Sequence, residues 1–308
     1  MTGGLARLRS APMGGATAVL TTPGRGHNVK YLIFDVERGE PVYSPELARP
    51  FAPHRQRTYV WLLSIVGAVF VFMTIAEATG LLPPTRTVDV AANVIFGVPV
   101  IVLPLILFWK ARGEQRSRLA LAAELTLIYV PLTIGSQLTY ELPFLIGHPF
   151  HLWEPTSDPG WRWLWWQYGL ADTRYRSDNN WIFGLEFGAV VVGLVLGVVW
   201  LRLLRKDLPD ESRIKCLWLT FFGITVLLAG TVVYYVSEIR ALFGDVEQGA
   251  YGLWFKFVGE NVPYMILPFF VLYAIYLQVD FLTRRAGAQA GSAAASDTTP
   301  RPAEPLPA

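Results

Sequence analysis

Gln137, Tyr140 and Glu141 stand three and four residues apart, so a helix would carry them on one face. Glu186 lies within the stretch from Trp165 to Ala189, WWQYGLADTRYRSDNNWIFGLEFGA, in which a polar aromatic loop runs straight into an apolar segment. Further on, Asn261 and Tyr264 share a helical face with Glu260 adjacent, and Tyr235 and Glu238 close another apolar run. Carboxyls, an amide and phenols can hold a proton or hydrogen-bond a polar ligand atom. Their surroundings make them candidates, because an ionisable group inside an apolar span is costly and marks a functional site by default.

The elements that must position them are membrane helices. The 308 residues are 53% hydrophobic and 16% charged, with a mean hydropathy of +0.37, against about 25% charged residues in a soluble domain. Six apolar stretches, at about 59–82, 88–109, 119–147, 182–204, 216–236 and 254–281, each approach the roughly 20 residues a spanning helix needs. The expected fold is an all-α polytopic membrane helix bundle of about six helices. Counted from the helix ends, Glu141, Glu186 and Asn261 lie roughly 6–11 Å inside at 1.5 Å per residue, in one layer. Three such groups facing lipid independently would be poorly solvated, so a shared interior site is expected. Interhelical hydrogen bonding, worth about 0.6–2 kcal/mol per pair, is the plainer alternative. Glu77, Asp89 and Glu124 show no partner at matching depth in the sequence and read as structural or interfacial.

Charges between the runs report topology. Arg55, Arg57, Lys110, Arg112, Arg116, Arg118, Arg202, Arg205, Lys206, Arg213, Lys215, Arg284 and Arg285 fall on one side. Arg86, Arg162, Arg174, Arg176, Arg240 and Lys256 fall on the other. The richer side is expected to be cytoplasmic, with both termini there. The net charge of +2 is too small for a nucleic-acid binder, and the single Cys216 excludes an intrachain disulfide and any CxxC site. His148 and His151 lack the spacing of a metal site, no phosphate loop or HExxH is present, and residues 1 to 50 hold no signal-peptide core. The expected division is a partly disordered segment at 1–54, two additional spans at 55–118, a four-helix domain at 119–285 and a disordered tail at 286–308. Asn28 to Ser44 reads as a short hairpin or an irregular tether. The Trp-rich loop from Pro149 to Asn180 reads as an interfacial aromatic belt or as a cap over a cavity.

Tyr168, Leu170, Asp172, Arg174, Tyr175, Asp178, Asn179 and Glu186 resemble the spaced signature YxLxDxRY…DN…E of the EXPERA superfamily, especially its emopamil-binding protein family of sterol Δ8–Δ7 isomerases. Tyr235, Glu238, Tyr251, Trp254, Phe255, Asn261 and Pro268 are similar to that family's later stretch, and the resemblance covers about residues 119 to 281. It implies a membrane enzyme that shifts a double bond in a sterol or other polycyclic isoprenoid by protonation and deprotonation, without metal or redox cofactor. By resemblance Glu141, Glu186 and Asn261 are the catalytic trio, with either glutamate as the acid. Gln137, Tyr140, Tyr235, Glu238, Trp254, Tyr264, Asp172 and Arg174 are the substrate-binding set. A protonated carboxyl, a base and groups that stabilise a passing carbocation are what such chemistry requires.

Two positions depart from the family pattern. Gln137 stands where the family has histidine and cannot shuttle a proton at neutral pH, and Tyr264 replaces a tryptophan. A non-catalytic sterol or lipid receptor, as in the related sigma-2 receptor, and a proton-initiated terpenoid cyclase are the other readings. The expected partners are a hydrophobic small molecule and membrane lipid, not nucleic acid, and the resemblance leaves a homodimer open. Arg far outnumbers Lys, which points to a GC-rich genome and a bacterial plasma membrane, or to the endoplasmic reticulum if the source is eukaryotic.

Overall fold

The computed structural model describes residues 42–176 and 179–297. The disorder expected for residues 1–27, Asp178 and nearly all of the 28–44 hairpin lie outside those residues. Helix α1 spans Pro53–Ala78, α2 Arg86–Ile106, and α3 Arg118–Ser136, continuing through a π-helical turn at Gln137–Glu141 into Leu142–Gly147. A short helix α4, Trp163–Ala171, sits in the Trp-rich segment. The chain then forms α5 (Asn180–Leu203), α6 (Asp210–Arg240), a π-helical stretch at Ala250–Gly259 and α7 (Glu260–Asp297). Among the described residues six helical segments are long and apolar enough to cross a membrane, and the protein is an integral multi-pass helix bundle. Strands are absent among the described residues, which contain only the isolated bridges Tyr43–Pro209 and Asp172–Val246.

Local chemistry starts the helices. Pro53 occupies the first turn of α1, where its missing N–H costs nothing. Ser117 caps α3 by accepting from Ala120 N at 3.0 Å, and Asn179 caps α5 by accepting from Trp181 N and Ile182 N at 3.0 and 3.2 Å. Helices α3, α5, α6 and α7 pack into a four-helix core, while α1 and α2 pair with each other and lean on α3. The helix α7 continues to Asp297, where the sequence predicts a disordered tail from Ala286. Alanine is the strongest helix former and needs no apolar face to continue a helix already begun. Residues 298–308 lie outside the described residues.

Glu124 is fully buried and fastens the extra helices to the core. It accepts from Arg55 Nε at 2.8 Å, Arg55 Nη2 at 3.2 Å and Tyr59 OH at 2.6 Å, and pairs closely with Arg116. Arg55 also pairs with Glu114 at 2.8 Å. Arg213, likewise buried, donates to the carbonyls of Leu203 and Arg205 at 2.9 Å each, capping the end of α5. Thus Arg55, Arg116 and Arg213, which look like loop charges in the sequence, are interior fasteners.

Candidate functional site

The helices line a partly open cavity of about 1240 Å³, larger than the roughly 300–1,000 Å³ usual for small-molecule sites. Gln137, Tyr140 and Glu141 from α3, Glu186 from α5, and Asn261 and Tyr264 from α7 all line it. The depth shared by Glu141, Glu186 and Asn261 in the sequence thus corresponds to a shared cavity wall. The π-helical turn presents Gln137, Tyr140 and Glu141 together, and π turns within α-helices recur at functional sites. Gly193 lets α5 approach that turn, because a Cβ there would collide with the Gln137 side chain.

The aromatic cap sits over this region. Trp153, Trp163 and Trp165 are buried, whereas Trp161 is exposed, so most of these indoles pack inward, and the segment reaches the cavity through Leu164, Tyr168 and Tyr175. Trp153 Nε1 donates to Phe144 O and Trp165 Nε1 to Tyr140 O, both at 2.8 Å, and a Cβ at Gly147 would run into the Trp153 ring. Tyr140 stacks on Trp165 at 5.9 Å and meets Tyr168 edge-on at 5.7 Å. These ring faces supply π density suited to a cation.

The two glutamates differ in their bonding. Tyr175 OH donates to Glu186 Oε1 in a close contact. Glu141 Oε2 is out of solvent with no hydrogen-bond partner, as are Gln137 Oε1 and Tyr140 OH. Asn261 spends its amide N–H groups on Tyr168 OH at 3.2 Å and Phe257 O at 2.8 Å, leaving its oxygen to accept. Burial, with the charge of Glu186 nearby, holds the Tyr175 hydroxyl well above the usual phenol range, so Tyr175 stays a donor.

Asp172, Arg174, Tyr235 and Glu238 lie outside the lining and form or flank the support beneath the cap. Arg174 grips Asp172 through Nε at 2.9 Å and Nη2 at 2.6 Å, and reaches Glu238 at 2.8 Å. Tyr234 OH donates to Asp172 Oδ2 at 2.5 Å and lies 3.1 Å from Tyr168 OH, linking the support to Asn261. Although burial opposes its charge, the bonds and attraction of Asp172 hold the Arg174 guanidinium above its ordinary range. Tyr235 OH donates to Phe257 O at 3.2 Å. Trp254, expected to bind substrate, is 65% exposed and does not line the cavity. The π-helical stretch turns Phe255, Lys256 and Gly259 inward and leaves Trp254 outside.

No family model and no curated protein matches this chain. The EXPERA resemblance accordingly rests on the spaced residues quoted above.

Sequence reasoning missed the roles of Tyr234, Lys256, Glu260 and Asp89. Lys256 reads as a loop-edge charge, yet it is buried and pairs with Asp89 at 3.1 Å and Glu260 at 3.0 Å. A lone acid and a lone base in two different apolar runs were the available signal.

Proposed function

We propose that this protein is a membrane-embedded isomerase that shifts a carbon–carbon double bond in a sterol or another polycyclic isoprenoid by proton transfer. The observation that carries the proposal is the placement of Glu141, Glu186 and Asn261 on one large, mainly apolar cavity beneath an aromatic cap. Glu186 accepts from Tyr175, a bond that favours its carboxylate, and so it serves as the base. Glu141 receives no hydrogen bond at Oε2 and serves as the acid, since two neighbouring carboxyls do not readily ionise together. Protonation of one alkene carbon by Glu141 leaves a carbocation facing Tyr140 and Tyr168, and loss of a proton to Glu186 completes the shift. Between turnovers Glu186 releases its proton to water and Glu141 takes one up from water, which restores both groups.

The test uses purified protein with a sterol Δ8-alkene or a bacterial polycyclic isoprenoid in D2O. Turnover should place one deuterium at the protonated carbon, and Glu186→Gln and Glu141→Gln should each lower the rate by at least about 10²-fold, the lower end of what general acid–base groups contribute. Full activity in either variant would end the assignment. Gln137, which occupies the family's histidine position, favours a binding-only second reading. Under it, the same unchanged lipid would co-purify with wild type and with Glu186→Gln. The proposed topology places both termini in the cytoplasm and the Trp-rich cap outside.

A further inference from the structure

A second polar set reaches the same cavity through Lys256 and Glu260 and takes no part in the proton transfer. Lys256 is 1% exposed and Asp89 fully buried, while Glu260 keeps 26% of its side-chain surface and lines the cavity. Asp89 is shared by Lys256 at 3.1 Å and Tyr251 OH at 2.9 Å, and Glu260 pairs with Lys256 at 3.0 Å. Tyr168 stands between the two sets. Its ring is 5.6 Å from Lys256 Nζ and 4.8 Å from the ring of Tyr175, which holds Glu186. Tyr140, edge-on to Tyr168, adds a buried hydroxyl with no hydrogen-bond partner on the same cavity.

We infer that Glu260, backed by Lys256 and Asp89, is a binding site for the hydroxyl end of a neutral isoprenoid alcohol. Charge makes the choice among polar ends. Two carboxyls face one ammonium, so a carboxylate, sulfate or phosphate on the ligand would meet uncompensated negative charge in a poorly solvated site. An alcohol donates to Glu260 when that group is ionised and accepts from it when it is protonated, so it fits either state. Among the described residues lining the cavity Lys256 is the only cation, and its partners already claim it. The hydroxyl would then lie on one side of Tyr168 and the reacting alkene on the other, which fixes the direction in which the hydrocarbon skeleton enters. This rests on the reading of the cavity as the ligand site.

The test measures binding of three matched probes, cholesterol, cholesteryl methyl ether and cholesterol sulfate, to purified full-length protein, with geranylgeraniol, its methyl ether and geranylgeranoic acid as a second series. In at least one series the alcohol should bind about tenfold or more tightly than ether and anion, as expected for a hydrogen bond to a charged group. Glu260→Gln should cut that preference to below about threefold while ether binding stays unchanged, which also reports that the variant is folded. Glu260→Asp should fall between the two. An alcohol preference that survives Glu260→Gln, or no preference in wild type in either series, overturns the inference. Turnover separates it from the proposed reaction. Alcohol preference without isomerisation leaves this site standing and removes the isomerase, whereas isomerisation without alcohol preference does the reverse.

Discussion

Glu186 and Tyr175 form the pairing on which the assignment of acid and base turns. Removing the phenol hydroxyl leaves a buried carboxyl oxygen without its donor, and a hydrogen bond to a charged group is worth about 1.5–3 kcal/mol. Tyr175→Phe should therefore slow turnover by about 10- to 100-fold, with little change in substrate affinity. Equal losses from Tyr175→Phe and from an unrelated cap substitution such as Trp161→Phe would show that the effect is merely structural. Gly193→Ala should displace Gln137 and through it the π turn, lowering activity while Gly197→Ala, four residues on with open space above it, leaves activity unchanged. Glu141, Glu186 and Asn261 could be picked out of the sequence because polarity inside an apolar run stands out in one dimension. The donor to Glu186 could not, because Tyr175 sits eleven residues away in a loop whose course back over the helix is set by tertiary contacts.

Helices existed where hydropathy placed them, because a span of about 20 apolar residues has few other solutions in a bilayer. The two π-helical segments were invisible to the same reasoning, since their composition is that of any apolar helix and only packing against Gly193 and the cap selects the wider turn. The fasteners between helices were equally hidden. Glu124 gave no sign of a partner because its partners Arg55 and Arg116 read as loop charges at the ends of other runs. Breaking a buried pair by removing one side costs about 3–5 kcal/mol, so Arg55→Met should markedly lower the midpoint of thermal unfolding in detergent. The triple variant Arg55→Met, Arg116→Met, Glu124→Leu should recover part of the loss, because it removes the buried carboxylate together with both of its cations. An unchanged midpoint in Arg55→Met would mean that α1 and α2 are held by apolar packing alone.

At the scale of the whole molecule the Lys and Arg distribution decides which face the cap occupies, and the structure alters which charges should count. Arg55, Arg116, Arg174, Arg213 and Lys256 are buried in pairs or caps, so they are fasteners more than free loop charges. Removing them from both sides leaves the end that bears Arg57, Lys110, Arg112, Arg118, Arg202, Arg205, Lys206, Lys215, Arg284 and Arg285 well ahead of the end that bears the cap. The orientation that follows can be read with single cysteines. Cys216 is buried and contributes little background, and Cys216→Ser removes what remains. Asp158 in the Trp-rich segment and Gln115 between α2 and α3 are both exposed and lie at opposite ends of the bundle. In intact cells an impermeant maleimide should label the Asp158→Cys variant and reach Gln115→Cys only after lysis. The opposite pattern would put the cap and the Glu260 set beneath the cytoplasmic face, and a polar-ended ligand would then have to enter from that side.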